Sequence, residues 1–380
     1  MNSNIRVLQV AKHFSPDSGG IETVTKNISE MLLKHDIIAD VLCTEVNGPY
    51  LECDRGYKVL RCKSDFSFGN KRFSWNYINE GRRLESEYDC AIVHMPNPLA
   101  VLACLNWRKP LLLLWHADIP QAAIRWTTAF LDSLIIRKAD VIIGPTPIHL
   151  TSSRLNDIGD RGVIIPFPFN RSDIPAATNT TNFGHRLREF RRGRSMSISV
   201  GRLVAYKGFD VLIDAARHFD DGLCAVVVGS GPLESELAKR VKLAQVEDKV
   251  FLAGKLTAEE LADTFAQSRM GCMPSTTAAE MYGMTQVETM AFGLPMVSTD
   301  LPKSGVPFVN KHQQTGLIVP PYDANALAHA MMRLAKDEVL WKQLSSGASL
   351  SIAMDQDIAR VSLQYASLIH EIVSKHRIGE

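Results

Sequence analysis

Glu280-Met281-Tyr282-Gly283-Met284-Thr285-Gln286-Val287-Glu288, followed by Thr289-Met290-Ala291-Phe292-Gly293-Leu294-Pro295-Met296-Val297, sets two carboxylates eight positions apart. The first falls in a Gly-containing loop. The second falls in a short amphipathic helix that feeds a strand starting at Pro295. A helix N-terminus near Gly283 presents unpaired backbone N–H groups and the positive end of a dipole, which together attract an anion. Carboxylates beside an anion site make sense if they bind hydroxyl groups. A nucleotide sugar meets both demands, with phosphates for the N–H groups, ribose for one Glu and hexose for the other. The alternative is a solvated acidic pair around an ordinary helix cap.

The whole chain narrows the choice. At 380 residues it exceeds what one core usually organises, so two domains are expected. A formal charge of +1 argues against bulk nucleic-acid binding. The seven cysteines contain no C-x-x-C pair and read as small apolar fillers in a reducing compartment. No apolar run approaches the length of a membrane span, and Asn2–Arg6 leads into a strand and not a signal peptide. The expectation is a cytoplasmic protein, with a peripheral contact at the inner face of the membrane left open.

Short apolar runs alternate with amphipathic ones from end to end, the pattern of parallel sheets covered by helices. Strands are expected at Ile5–Lys12, Ala39–Thr44, Tyr57–Lys63, Cys90–Met95, Pro110–Trp115, Val141–Pro145 and Val163–Phe167. A polar, arginine-rich break from Asn170 to Arg194 reads as an interdomain linker. The alternation then restarts at Ser197, Thr257 and Glu260 form a capping box, and Asp323 caps a helix over Ala324–Lys336. The division expected is 1–185 for a first Rossmann-like domain and 186–380 for a second. A final helix near Ile358–His376 lies beyond the second sheet, leaving open a return to the first domain. In such doubly wound halves, ligands bind at the carboxyl ends of the strands.

In Gly201-Arg202-Leu203-Val204-Ala205-Tyr206-Lys207-Gly208, Arg202 and Lys207 stand five apart across a loop that leaves a strand. Both cations can converge on one diphosphate and stabilise its departing charge; otherwise they are surface cations flanking a helix start. Gly229-Ser230-Gly231 joins strand to helix, with glycines that permit close backbone approach to a ligand, or that simply make a tight turn. It is not G-x-G-x-x-G, so a dinucleotide reading fails. In the first half, Ser15-Pro16-Asp17-Ser18-Gly19-Gly20-Ile21-Glu22 heads a helix, and Gly19 and Gly20 let N–H groups face a phosphate or acceptor. Leu111-Leu112-Leu113-Leu114-Trp115-His116-Ala117-Asp118 ends a buried strand with His116 at its carboxyl tip, a catalytic place for a residue that elsewhere is commonly structural. Asp355-Gln356-Asp357 is formally Asp-x-Asp, but it precedes the last helix, where acids serve as caps, so no metal site is expected.

Gly201-Arg202…Lys207, Val227-Val228-Gly229-Ser230-Gly231, Phe251-Leu252-Ala253-Gly254, Glu280…Glu288 and Thr315-Gly316-Leu317-Ile318-Val319-Pro320 resemble, in order, the retaining glycosyltransferases of family 4. The resemblance covers nearly all of the second half and implies a GT-B fold, two Rossmann-like domains facing across a cleft. It implies that Arg202 and Lys207 hold the nucleotide diphosphate and that Gly229 and Gly231 lie near the nucleotide. Glu280, with Met281, Tyr282, Gly283 and Met284, would contact the donor hexose, and Glu288 the ribose. The Gly19-Gly20 loop would close over the diphosphate, and His116 would hydrogen-bond the transferred hexose. Transfer would proceed with retention and without a metal or other cofactor. Glu280-Met281-Tyr282-Gly283 departs from the commoner Glu-Pro/Gly-Phe-Gly, which leaves the hexose open. The Ser-Pro-Asp-Ser-Gly-Gly-Ile-Glu and Trp-His-Ala-Asp-Ile segments look most like bacterial mannosyl- or rhamnosyl-transferases of O-antigen and exopolysaccharide (lipopolysaccharide-type) assembly. GDP-mannose and a glycan or polyprenyl-linked acceptor are therefore the expected partners, with no nucleic acid. UDP-glucose or UDP-N-acetylglucosamine, and a non-hydrolysing nucleotide-sugar epimerase, are the alternatives. Phe66-Ser67-Phe68-Gly69-Asn70-Lys71-Arg72-Phe73-Ser74-Trp75-Asn76-Tyr77 interleaves aromatics and cations, suited to a lipid interface or to a core-packing loop and helix start.

Overall fold

The computed structural model describes residues 4–15, 19–46, 49–68, 71–117, 122–151, 154–155, 158–178 and 180–379. The chain forms two compact units: one holds residues up to Phe169 and from Asp357 onward, the other Asn170–Gln356.

The first unit is built on β1 (Ile5–Val10), β2 (Ile37–Glu45), β3 (Tyr50–Asp54), β4 (Tyr57–Lys63), a two-stranded ribbon β5 (Phe66–Phe68) and β6 (Lys71–Phe73), β7 (Cys90–Met95), β8 (Leu111–Trp115), β9 (Val141–Gly144) and β10 (Gly162–Ile164). The main sheet runs β10-β9-β8-β7-β1-β2-β4-β3, parallel except that β3 lies antiparallel to β4. Helices on both faces explain its continuous apolar strands: every residue of β7 and β8 is buried. The chain winds outward from β1 in one direction and, after β7, in the other. The strand order therefore reverses between β1 and β7, where Val7 pairs with Cys90.

The second unit has β11 (Ser195–Val200), β12 (Leu223–Val228), β13 (Val250–Gly254), β14 (Met270–Met273), β15 (Met296–Thr299) and β16 (Gly316–Val319). They form one parallel sheet in the order β13-β12-β11-β14-β15-β16, and its reversal lies between β11 and β14. The capping box at Thr257 and Glu260 and the cap at Asp323 both form as the sequence implies.

The unit boundaries fall elsewhere than the expected 185/186. Asn182–Arg191 is a helix inside the second unit and no linker. Phe183 and Leu187 bury one face of it against Met196, Ile198, Val226 and Phe265, and Thr181 caps it by accepting from Gly184 N at 2.9 Å. Its arginines sit on the other faces, and their number hides the apolar i, i+4 stripe. The last helix, Ile358–Gly379, belongs to the first unit. Val361, Tyr365, Ile369 and Ile372 bury a continuous stripe, and His35 Nε2 lies 2.9 Å from Ser362 Oγ. Each fully buried side chain of this kind contributes about 1.5–3 kcal/mol, enough to hold a chain end.

The Phe66–Tyr77 segment forms the β5–β6 ribbon and the start of a helix over Trp75–Arg83, capped by Ser74. Phe66 and Trp75 are exposed, while Arg72 donates to the Thr44 carbonyl at 3.0 Å. No helix among the described residues is long and apolar enough to cross a membrane.

Candidate active site

In the second unit the candidate residues gather where the strand order reverses. The loop after β11 carries Lys207, and the loop after β14 carries Glu280. Two contacts bind these loops: Thr276 N donates to the Tyr206 carbonyl at 2.8 Å, and Gly208 lies against the Pro274 carbonyl with φ of 66°. A Cβ at Gly208 would overlap that oxygen, so the approach requires glycine. The result is an ion pair between Lys207 Nζ and Glu280 Oε2 at 2.5 Å, with Ser275 Oγ donating to the same oxygen at 3.2 Å. Both charged residues are buried, at 9% and 7% exposure. Burial by itself pulls the Lys207 pKa down, but the charge and hydrogen bond of Glu280 outweigh it and the net shift is upward. Lys207 is therefore a fixed cation. The backbone of the Glu280 loop is also held, since Ser304 Oγ donates to the Glu280 carbonyl and Gly305 N to that of Met281, the latter at 2.7 Å.

Gly283, with φ of 73°, caps the helix Met284–Met290, which carries Glu288. Burial raises the Glu288 carboxyl to about 7, with the Lys207 charge pulling the other way. Glu288 thus stands within the field of Lys207 but outside its ion pair. Met281 and Met284 are half-buried. Tyr282 is buried, and its hydroxyl accepts from Gln356 Nε2 at 2.5 Å, so part of its polar capacity is spent inside the unit. Arg202 is exposed and has no ion-pair partner among the described residues.

Gly229 (φ of 136°) and Gly231 follow β12, and the structure shows what their small size serves. A Cβ at Gly229 would overlap the Gly201 carbonyl, and one at Gly231 the backbone of Leu203. Leu203 N donates to the Ser230 carbonyl at 3.0 Å, so the close approach is to the neighbouring loop of the site itself.

In the first unit, Gly19 is the extended cap of the helix Gly20–Leu32, whose first turn also holds Glu22. Pro16, Asp17, Ser18 and Asp118 lie outside the described residues. His116 follows β8 directly, its N–H bound to the Met95 carbonyl at 3.0 Å. Its ring meets His94 edge to edge and nearly coplanar, with centroids 5.1 Å apart, and stacks on Phe167 with centroids 4.9 Å apart. His94 Nδ1 lies 2.9 Å from His116 Nε2, and His149 Nδ1 lies 2.8 Å from Thr146 Oγ1. Burial pushes all three imidazoles down: His116 well below its usual range, His94 to about 3 and His149 to about 4. These rings are neutral near pH 7.

Sequence reading missed His94, His149 and Gln9 as parts of this cluster. A signal existed for His94, a polar residue in the otherwise apolar Cys90-Ala91-Ile92-Val93-His94-Met95. Asp357 caps the last helix by accepting from Arg360 N, while Asp355 ends the preceding helix and pairs with Lys311 at 2.8 Å.

A Glycosyltransferase Family 4 domain matches residues 18–166, and a Glycosyl transferases group 1 domain matches residues 185–349. The chain is 29% identical to O-antigen chain mannosyltransferase C of Escherichia coli, over 88% of this chain and 90% of the relative. It is 28% identical to D-rhamnosyltransferase WbpZ of Pseudomonas aeruginosa, over 86% of each. Among solved structures, sucrose-phosphate synthase from Thermosynechococcus elongatus superposes with a TM-score of 0.80 at 18% identity, covering 98% of this chain and all (100%) of the other. Anabaena Alr3699/HepE in complex with UDP gives 0.76 at 17% identity, covering 97% and 100%. These likenesses show the GT-B fold.

Proposed function

The chain belongs to the glycosyltransferases, with a family 4 first part and a group 1 second part, and we propose that it moves mannose from GDP-mannose onto a lipid-linked or oligosaccharide acceptor in bacterial surface polysaccharide synthesis, with retention at the anomeric carbon. The observation that carries this reading is the buried Lys207–Glu280 pair beside Glu288 at the reversal of the second sheet. A fixed cation there stabilises a departing diphosphate, and the exposed Arg202 supplies a second positive charge. Glu280 has one carboxylate oxygen committed to Lys207 and Ser275, and the other accepts from hydroxyl groups of the hexose. Glu288 receives the ribose hydroxyls and His116 a hydroxyl of the transferred hexose. This assignment places the leaving charge on side chains, so activity persists in EDTA. Loss of turnover on chelation, restored by Mn²⁺ or Mg²⁺, would overturn that part.

The choice of mannose is supported by the relatives named as O-antigen chain mannosyltransferase C and D-rhamnosyltransferase WbpZ. A second donor, UDP-glucose, is favoured by the HepE complex with UDP-glucose, which shares the fold. The test is a panel of GDP-mannose, UDP-glucose and UDP-N-acetylglucosamine, each with and without a crude polyprenyl-linked acceptor. The expected result is GDP release from GDP-mannose that depends on the acceptor. Turnover of a UDP-sugar alone overturns the donor assignment, and sugar conversion without acceptor indicates an epimerase. The exposed Phe66 and Trp75 give the first unit a peripheral membrane contact, tested by co-sedimentation with anionic liposomes; protein left in the supernatant at low salt refutes it.

A further inference from the structure

We infer that Gln9 and His94 are positioning residues that fix the tautomer of His116, protonated on Nε2, so that His116 Nδ1 is presented as a hydrogen-bond acceptor for a hydroxyl of the sugar substrate. The use by a sugar rests on the glycosyltransferase reading above, while the tautomer follows from the hydrogen-bond partners of rings that burial keeps neutral.

Gln9 is fully buried on β1, and one of its terminal atoms lies 2.9 Å from the Thr25 carbonyl oxygen and 2.7 Å from Ser29 Oγ. The carbonyl can only accept, and the Ser29 hydroxyl already donates to the Ala39 carbonyl at 2.7 Å. That terminal atom is therefore the amide nitrogen. The amide oxygen is then the atom facing His94 Nε2 at 3.0 Å. An oxygen with no proton requires N–H on the other side, so His94 carries its proton on Nε2. A second proton on His94 is opposed by burial, which pushes its pKa to about 3.

His94 Nδ1 is consequently a bare lone pair. Thr25 Oγ1 approaches it at 3.4 Å, but that hydroxyl donates to the Ile21 carbonyl at 2.9 Å and has no proton to give. Only His116 Nε2, at 2.9 Å, can supply one. His116 thus bears its proton on Nε2, and a neutral ring leaves Nδ1 unprotonated. No group among the described residues hydrogen-bonds that nitrogen. The stack on Phe167 holds the ring plane, so the free lone pair has a fixed direction. A buried amide three hydrogen bonds removed from the sugar therefore decides whether the imidazole offers an acceptor or a donor. An acceptor matches an alcohol O–H; a donor would match a carbonyl or phosphate oxygen.

Two-bond ¹⁵N–¹H correlation spectra of protein labelled with ¹⁵N-histidine read the tautomer directly and need no ligand. A His116→Gln variant identifies the signals by their disappearance. In the wild type His116 should show a pyridine-type Nδ1 and a pyrrole-type Nε2. In Gln9→Met, with the fold confirmed by circular dichroism, the two nitrogens should shift toward intermediate values as the tautomers mix. A protonated Nδ1 in the wild type overturns the inference, as does an unchanged His116 pattern in folded Gln9→Met. If that variant does not fold, the wild-type spectrum and a His94→Phe variant decide the matter, the latter being expected to mix the tautomers too. With GDP-mannose, Gln9→Met should lower kcat about tenfold, the worth of one hydrogen bond, with KM within about twofold. An unchanged kcat removes the catalytic role. Absence of wild-type turnover with GDP-mannose would instead defeat the donor assignment and leave the tautomer result standing.

Discussion

The two candidate clusters solve opposite electrostatic problems. In the second unit a buried lysine keeps its charge because a carboxylate stands 2.5 Å away. In the first, burial keeps three imidazoles neutral, and His94 meets the Gln9 amide and His116 where Lys207 meets a carboxylate. Charge survives burial only when it is paired and hydrogen-bonded; otherwise the group changes protonation state. One cluster is therefore suited to stabilising developing charge, the other to uncharged hydrogen bonding with hydroxyl groups.

The largest break in that contrast should come from Lys207→Ala. It removes a transition-state cation and also leaves Glu280 buried without its partner. We expect kcat/KM to fall by about 10²-fold or more and stability to drop by about 3–5 kcal/mol. Arg202→Ala should match the rate loss with almost no change in thermal midpoint, since Arg202 is exposed and has no ion-pair partner among the described residues. Equal destabilisation of the two variants would refute the distinction.

Next comes pH. With His116 and its neighbours neutral, no acid limb from an imidazole should appear in kcat between about pH 6 and 8. Glu288, by contrast, titrates at about 7, so donor binding should strengthen as pH rises through that value and the ribose-binding carboxylate forms. Glu288→Gln should flatten this dependence. Its carboxyl is raised above the unfolded value, so the stability that goes with the neutral form is full below about pH 4.5 and is lost as pH rises to about 7. The amide should accordingly raise the melting temperature more at pH 8 than at pH 5. A stabilisation that is larger at pH 5 would contradict the raised pKa.

The Glu288→Ala variant sharpens the comparison further. A ribose contact to a charged group is worth about 1.5–3 kcal/mol, so donor KM should rise by at least tenfold while the fold persists. Donor affinity within twofold of wild type argues against the ribose role. The smallest effect belongs to Tyr282→Phe, which gives up the hydrogen bond to Gln356. A loss of about 1 kcal/mol of stability is expected, with kcat/KM within about twofold. A change in donor preference would instead place the hydroxyl on the sugar.

The charged cluster was legible because its residues sit in loops at strand ends, where Lys207 and Glu280 interrupt an apolar pattern and glycines mark tight approaches. The neutral cluster was less so. His116 stood out at a strand's tip, but Gln9, like His94, shows only as a polar residue in an apolar strand, and strand position says nothing about which neighbour an amide meets. The helix Asn182–Arg191 was misread for a related reason: its three arginines outnumber the two side chains, Phe183 and Leu187, that anchor it.

The alternation of apolar and amphipathic segments by itself determined the α/β class, the parallel strands and most of their positions, because hydrophobic periodicity is a local property of the chain. Which strands become neighbours is not local. The reversals between β1 and β7 and between β11 and β14 arise only when the sheets assemble, and the second is what brings Lys207 to Glu280 across 73 positions of sequence. The return of Ile358–Gly379 to the first unit was likewise decided by the apolar stripe it buries there. Protonation states belong to the same category: a side chain's charge depends on the solvent it loses and the partners it gains, and both are set by the tertiary structure.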